Sequence, residues 1–192
     1  MTGARALFLD RDGVVVRESE ALGPRDLELL PGVAAAIAAA RGAGYKVVVV
    51  TNQPVVARGL MSEDDVRAAH ARLGESLARE GGVVDAFYFC PHHPSATLAA
   101  YRVACECRKP RPGMLLAAAR DLAIDLAASV MVGDRASDVA AGKRAGCRAV
   151  LVHSGAHDAA PIASPDRFDD VRPDATYADL AAAVRALLAG AP

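Results

Sequence analysis

Two carboxylates stand two residues apart in Asp10-Arg11-Asp12-Gly13, directly after the apolar run Ala6-Leu7-Phe8-Leu9. In an extended chain residues i and i+2 face the same side, so Asp10 and Asp12 could share a cation or divide the roles of nucleophile and acid/base. Gly13 lets the backbone turn tightly beside whatever is bound. The same four residues also suit an ordinary turn, since acids before a glycine favour one. Three further groups bear on the choice: Thr51-Asn52-Gln53, Arg108-Lys109-Pro110 and Gly133-Asp134-Arg135. Acids hold Mg2+ through oxygen, while a hydroxyl, amides and a lysine can neutralise and hydrogen-bond a phosphoryl group. Taken singly, Thr51 could be a strand-end turn residue, Lys109 a solvated charge and Asp134 the N-cap of a following helix.

A second constellation is Cys90-Pro91-His92-His93, followed by Cys105-Glu106-Cys107. Cys90, His92, Cys105 and Cys107 offer three thiolates and an imidazole, a tetrahedral Zn2+ set with no open position and therefore a structural one. Unligated thiols in a reducing compartment are the alternative. His93 is set aside as a ligand because adjacent side chains diverge. Cys147, after Gly146, reads as a small buried hydrophobe. His70, His153 and His157 have no visible partners and read as surface or packing residues.

These groups need a scaffold. Strand-like runs at Ala6–Leu9, Val47–Val50, Ala86–Phe89, Ser129–Val132 and Ala149–Val152 alternate with helical stretches at Val33–Ala43, Glu63–Arg79, Met114–Leu122 and Ser137–Ala145. Continuous apolar strands imply a parallel sheet covered on both faces, a three-layer α/β Rossmann-like arrangement. Ligands in such sheets bind beyond the carboxyl ends of the strands, where all four chemical groups fall. Ser62-Glu63-Asp64-Asp65 supplies an N-cap and an acidic first turn, and Pro112 suits the start of a helix. Two irregular segments remain, Cys90 to Gly113 and Ser154 to Pro173; the second reads as a surface connection to a last helix near Asp179–Leu188.

The chain of 192 residues fits one domain, 1–192, with the zinc loop at 90–107. It is 53% hydrophobic and 4% aromatic, so its apolar content is mostly Ala, Val and Leu, suited to helices packed closely on a sheet. A net charge of −1 gives no electrostatic case for nucleic acid or an anionic membrane. No apolar run approaches a membrane span, and the first residues lack an export-signal core. A cytoplasmic, compact monomer is the expectation.

The motifs Asp10-Arg11-Asp12-Gly13-Val14, Thr51-Asn52, Lys109-Pro110 and Gly133-Asp134 with Asp138 resemble those of the haloacid dehalogenase-like hydrolase superfamily, over nearly the whole chain. The resemblance implies an aspartyl-phosphate on Asp10. It assigns Asp12 the protonation of the leaving alcohol and the activation of water, and gives the phosphoryl oxygens to Thr51 and Lys109. Mg2+ would sit on the Asp10 carboxylate, the Asp12 backbone carbonyl and Asp134. Asp138 either orients a water at the cation or is an ordinary exposed helix acid. No cap domain fits between the motifs, so the site is open and loops must select the substrate. The metal loop with Arg108-Lys109-Pro110 is similar to the phosphatase family acting on D-glycero-D-manno-heptose 1,7-bisphosphate at the 7-position. Histidinol-phosphate phosphatases, the related alternative, carry a shorter loop. In that family Arg108 would recognise the substrate, its forked guanidinium suited to the phosphate left in place. Asn52 and Gln53 fit the same pattern as substrate-binding residues, and Arg135 could aid the phosphate or remain solvated. Two departures stand out: Pro54-Val55 after Thr-Asn-Gln, and Glu18-Ser19-Glu20-Ala21 after the first motif.

Overall fold

The computed structural model describes residues 3–17, 27–155 and 171–190. Six strands form a single sheet in the order β3-β2-β1-β4-β5-β6, every neighbouring pair parallel. They are β1 Ala6–Leu9, β2 Lys46–Asn52, β3 Ala86–Cys90, β4 Val130–Gly133, β5 Arg148–Val152 and β6 Ala175–Tyr177. The helices are α1 Val33–Gly42, α2 Pro54–Ala57, α3 Glu63–Arg79, α4 Gly113–Leu122, α5 Ala136–Ala145 and α6 Leu180–Leu188. One turn of 3-10 helix, Ala99–Tyr101, lies in the cysteine-bearing loop.

The three-layer arrangement follows from both sheet faces being apolar. Leu7, Leu9, Val47, Val49, Val130 and Val132 point into a core closed by α1, α6 and Leu73 and Leu77 of α3. Their neighbours Ala6, Phe8, Val48, Val50 and Met131 point the other way, into a core closed by Met114, Leu115 and Ala118 of α4 and Ala141 and Ala145 of α5. The alternation of a strand thus places successive residues in different cores, and each strand reads as a continuous apolar run.

Strand ends set the chemistry, and here the boundaries differ from expectation. Thr51 and Asn52 belong to β2 rather than following it, because they pair with Phe89 and Cys90 of β3. Pairing partners, not side-chain type, extend the strand. The short strand β6 had no sequence signature, since three residues are too few for a period; it exists through its pairing with Val150–Val152. The short helix α2 was also unanticipated, and Pro54 occupies its first turn, where a missing N–H leaves nothing unsatisfied. Ser62 caps α3 as expected, with its hydroxyl accepting from the Asp65 N–H at 3.1 Å and the Asp65 carboxylate accepting from the Ser62 N–H at 2.8 Å. Asp179 caps α6 by accepting from the Ala182 N–H at 2.7 Å. No helix among the described residues is long and apolar enough to cross a membrane. The departure at Glu18 to Ala21, His157 and most of the connection from Ser154 to Pro173 lie outside the described residues.

Candidate active site

β1 lies at the centre of the sheet, between β2 and β4, so its end delivers Asp10 to the middle of the molecule. The Asp10 N–H still donates to the Val132 carbonyl at 3.0 Å, which fixes the residue to the end of β4. Its Oδ1 accepts from the Arg11 N–H at 2.8 Å and lies 2.8 Å from Lys109 Nζ. Gly13 follows with φ near 81°, and a Cβ there would lie 2.3 Å from Asp134 Oδ2. Both the left-handed backbone and the close approach therefore exclude any other residue.

Lys109 arrives from the opposite side, at the end of the cysteine-bearing loop. Its ammonium is buried, 2.8 Å from Asp10 Oδ1 and 2.7 Å from Asp138 Oδ1, and donates to the Val50 carbonyl at 2.8 Å. Burial pulls its pKa down, but the Asp10 and Asp138 carboxylates outweigh that and hold it above the ordinary lysine value. Asn52 fixes the backbone beneath it: the side-chain amide donates to the Lys109 carbonyl at 3.0 Å and accepts from the Lys109 N–H at 3.0 Å. Lys109 is thus a positioned buried charge, and its alternative as a solvated one falls.

Of the two readings of Asp138, the exposed helix acid falls. As an exposed helix acid it would face water, yet it is 1% exposed, its carboxylate turned under the α5 N-terminus to accept from the Arg135 N–H at 3.0 Å. Gly133 makes the space, for a Cβ there would lie 2.1 Å from the Asp138 Cβ. Burial drives the Asp138 pKa up to about 6 against the pull of Lys109. Asp134 is not the helix N-cap, a place taken by Arg135. Its side chain faces the site instead, and neither carboxylate oxygen has a hydrogen-bond partner. Burial and the charges of Asp10 and Asp138 push its pKa up to about 8. The Arg135 Nε stands 4.0 Å from Asp134 Oδ1.

Carboxylate oxygens of Asp10, Asp134 and Asp138 lie within 4.8 Å of one another. Three buried acids against one lysine leave excess negative charge, and two orphaned oxygens on Asp134 lack any other occupation. A divalent cation bound through oxygen fits both facts. The Asp12 carboxylate is not in this group. It accepts from Arg11 Nη2 at 2.9 Å on each oxygen, from Arg11 Nε at 3.1 Å and from Gln53 Nε2 at 2.9 Å. Any contribution of Asp12 to a cation therefore comes from its backbone carbonyl. Gln53 also donates to Thr51 Oγ1 at 2.9 Å, so the Thr51 hydroxyl keeps its own proton to give.

In the loop, the Cys90, Cys105 and Cys107 sulfurs lie 3.1 to 3.6 Å apart, and His92 Nδ1 is 3.3 Å from Cys107 Sγ and 3.6 Å from Cys90 Sγ. All are free thiols. Tetrahedral zinc with bonds of ~2.3 Å to sulfur and ~2.05 Å to nitrogen would space its ligands by ~3.6 to ~3.8 Å. The four atoms thus sit slightly inside a zinc tetrahedron, and small outward shifts accommodate the ion. The contact between Cys90 and Cys107 pushes the Cys107 thiol down to about 5 and the Cys90 thiol up, so among the three thiols it is Cys107 that is held toward the thiolate. His93 stands outside this group, and its Nδ1 accepts from the Ser95 N–H at 3.1 Å. The loop leads into Arg108, whose Nη1 donates to the His92 carbonyl at 2.9 Å. Cys147 is buried in the second core, as expected.

The sequence reading missed Arg11. It is 2% exposed and donates to Gln53 Oε1 at 3.0 Å, with His70 Nε2 3.3 Å from its Nη1. His70 shares the buried face of α3 with Val66, Ala69, Leu73 and Leu77, a helical spacing that could have placed it inside.

A family model described as haloacid dehalogenase-like hydrolase matches residues 4–143, and one described as HAD-hydrolase-like matches residues 106–183. The chain is 51% identical over 142 residues to the D-glycero-beta-D-manno-heptose-1,7-bisphosphate 7-phosphatase of Rhodopseudomonas palustris, covering 73% of this chain and 79% of that one. It is 43% identical over 184 residues to the D-glycero-D-manno-heptose-1,7-bisphosphate 7-phosphatase of Thermosynechococcus vestitus, covering 93% of both. Among solved structures, the D,D-heptose 1,7-bisphosphate phosphatase of B. bronchiseptica, crystallised with magnesium and phosphate, superposes with a TM-score of 0.79 at 37% identity. The superposition covers 97% of this chain and 99% of that one.

Proposed function

The chain belongs to the haloacid dehalogenase-like hydrolases and is a phosphatase, and from this premise we propose that it removes the 7-phosphate of D-glycero-D-manno-heptose 1,7-bisphosphate. The observation that carries this reading is the meeting of Asp10, Lys109 and the unpartnered Asp134 at the end of β1, beside the separately held Asp12. Asp10 attacks phosphorus, and the bond from phosphorus to the sugar oxygen breaks as Asp12 gives that oxygen its proton. Asp12 then takes a proton from water, which attacks the aspartyl-phosphate and releases inorganic phosphate and free Asp10. Lys109 and the Thr51 hydroxyl stabilise the phosphoryl oxygens throughout. Mg2+ held by Asp10, Asp134 and the Asp12 carbonyl would let an anionic carboxylate approach an anionic ester. Zn2+ on Cys90, His92, Cys105 and Cys107 would fix the loop that carries Arg108 and Lys109.

Arg108, with its forked guanidinium, is the group for the phosphate that stays on the sugar, and Arg135, whose Nε stands 4.0 Å from Asp134 Oδ1, is a second cation for the same substrate. Asn52 and Gln53, proposed as substrate-binding residues, act through the Lys109 and Asp12 contacts described above, to which their side-chain amides are committed. The test is phosphate release from both anomers of heptose 1,7-bisphosphate beside histidinol phosphate and fructose 1,6-bisphosphate, with Mg2+ and with EDTA. A heptose kcat/KM at least ~100-fold above the others, roughly 2.7 kcal/mol of discrimination, is expected. Weak and equal Mg2+-dependent turnover of all four would refute the substrate and move the selectivity to Pro54-Val55 and the segment Glu18 to Ala21.

A further inference from the structure

Arg11 sits between the two residues assigned the chemistry, yet the reaction as written gives it no task. An exposed arginine in a turn would need no explanation, but this one is buried. Its guanidinium contacts three partners at once: both oxygens of Asp12 at 2.9 Å, Gln53 Oε1 at 3.0 Å and His70 Nε2 at 3.3 Å. Gln53 closes a ring by donating from its other end to Asp12 Oδ2 at 2.9 Å. His70 is itself anchored, stacked on Phe87 with ring centroids 5.0 Å apart and edge-on to Phe89 at 5.7 Å. Leaving such a cation buried without acceptors would be costly, so the arrangement is as constraining as it is cohesive.

We propose that Arg11, held by His70 and Gln53, is a positioning residue that fixes the acid/base Asp12 in one orientation through both halves of the reaction; this rests on the assignment of Asp12 made above. The need arises because Asp12 must pass between carboxylate and carboxylic acid. A carboxylate held by Arg11 alone would lose most of that hold on protonation, and its side chain would be free to turn. The two other acceptors remove this weakness. Gln53 Oε1 and His70 Nε2 keep the guanidinium in place whatever the charge on Asp12, and Gln53 Nε2 still reaches the Asp12 oxygen. His70 must be neutral with its proton on Nδ1 to accept at Nε2, and burial first, then the charge of Arg11, lowers its pKa to about 3. It stays an acceptor across the working range. In this account Arg11 acts only through Asp12.

The experiment uses the dependence on leaving group. kcat/KM reports steps up to phosphoryl transfer to Asp10, and that step needs the Asp12 proton for an alkoxide but little for 4-nitrophenolate. Arg11→Met, His70→Leu, His70→Gln and Asp12→Asn are compared on the alkyl phosphate best turned over by the wild type and on 4-nitrophenyl phosphate. Arg11→Met should lower kcat/KM for the alkyl ester by ~100-fold, within the range of general acid catalysis, and for the aryl ester by less than ~5-fold. His70→Leu, which keeps an apolar face toward Phe87 and Phe89, should show the same selectivity at about 10-fold, restored by His70→Gln with its carbonyl acceptor. It carries the test if Arg11→Met does not fold. Equal losses on both esters in Arg11→Met and His70→Leu, with Asp12→Asn selective, would overturn the positioning role alone. An unselective Asp12→Asn would overturn the assignment of Asp12 and this inference with it.

Discussion

Replacing Asp134 by Asn should make the cation-free protein more stable while destroying its function, and the size of the gain can be worked from the structure. Asp134 has two unpartnered oxygens among other acids, and its pKa stands at about 8 against an ordinary 3.8. A carboxyl whose folded-state pKa is raised contributes its stability below the unfolded value and loses it as pH rises toward the folded one. At pH 7 about 3 pH units separate the solution from the unfolded value, so burying this group costs ~4 kcal/mol at 1.36 kcal/mol per unit. Asn escapes that cost but buries an amide without partners, worth about 1–3 kcal/mol in the other direction. The net gain at pH 7 is about 2 kcal/mol, or roughly 4–8 °C in Tm for a chain of this size. The sharper readout is the pH dependence, because the amide cost is constant. In EDTA, urea melts of Asp134→Asn minus wild type should rise by about 1.4 kcal/mol per pH unit from pH 5 to 7.5. Millimolar Mg2+ should stabilise the wild type and leave the variant unchanged. A difference flat in pH, or Mg2+ stabilising both proteins equally, would refute the reasoning.

Cys105→Ser should lose bound zinc by elemental analysis and about 6–12 °C in Tm, taking ~3 kcal/mol as this loop's share of a structural zinc site. Its kcat/KM should fall as well, since Arg108 and Lys109 ride at the end of the loop; unchanged melting and kinetics would contradict a structural metal. Asn52→Ala removes both hydrogen bonds that hold the Lys109 backbone, at 3.0 Å each. It should cost about 1–3 kcal/mol in a urea melt and lower kcat by ~10-fold with KM little changed. A change confined to KM would place Asn52 in sugar binding alone.

What could be read in the sequence was whatever repeats or whatever is local. The strands of both cores announce themselves because a parallel sheet buried on two faces needs uninterrupted apolar runs, as in Val47 to Val50. Asp10, Lys109 and Asp134 could be gathered because parallel strands align their carboxyl ends. The cluster of Cys90, His92, Cys105 and Cys107 could be gathered from its paired spacing, and the fold brings the four ligand atoms within 4.8 Å of one another. What escaped depended on tertiary space. Asp138 could be read as a motif residue or as an ordinary helix acid, and only the fold decides: Gly133, lacking a Cβ, lets its side chain fold beneath the helix end toward Lys109. Arg11 has no reading of its own in the sequence, because its acceptors, His70 on α3 and Gln53 just beyond β2, are brought to it only by the fold. β6 exists only by its pairing, so three residues alone could not declare it.

The central claim is that Asp10 carries the phosphoryl group. Single-turnover mixing of excess enzyme with a phosphate ester and Mg2+, followed by acid quench and borohydride trapping, reads this directly, because reduction of an aspartyl-phosphate converts that aspartate to homoserine. The account predicts homoserine at position 10, formed before free phosphate appears and absent from Asp10→Asn, which should fold but not turn over. Phosphate released at the wild-type rate with no modification at Asp10, or an active Asp10→Asn protein, would contradict it.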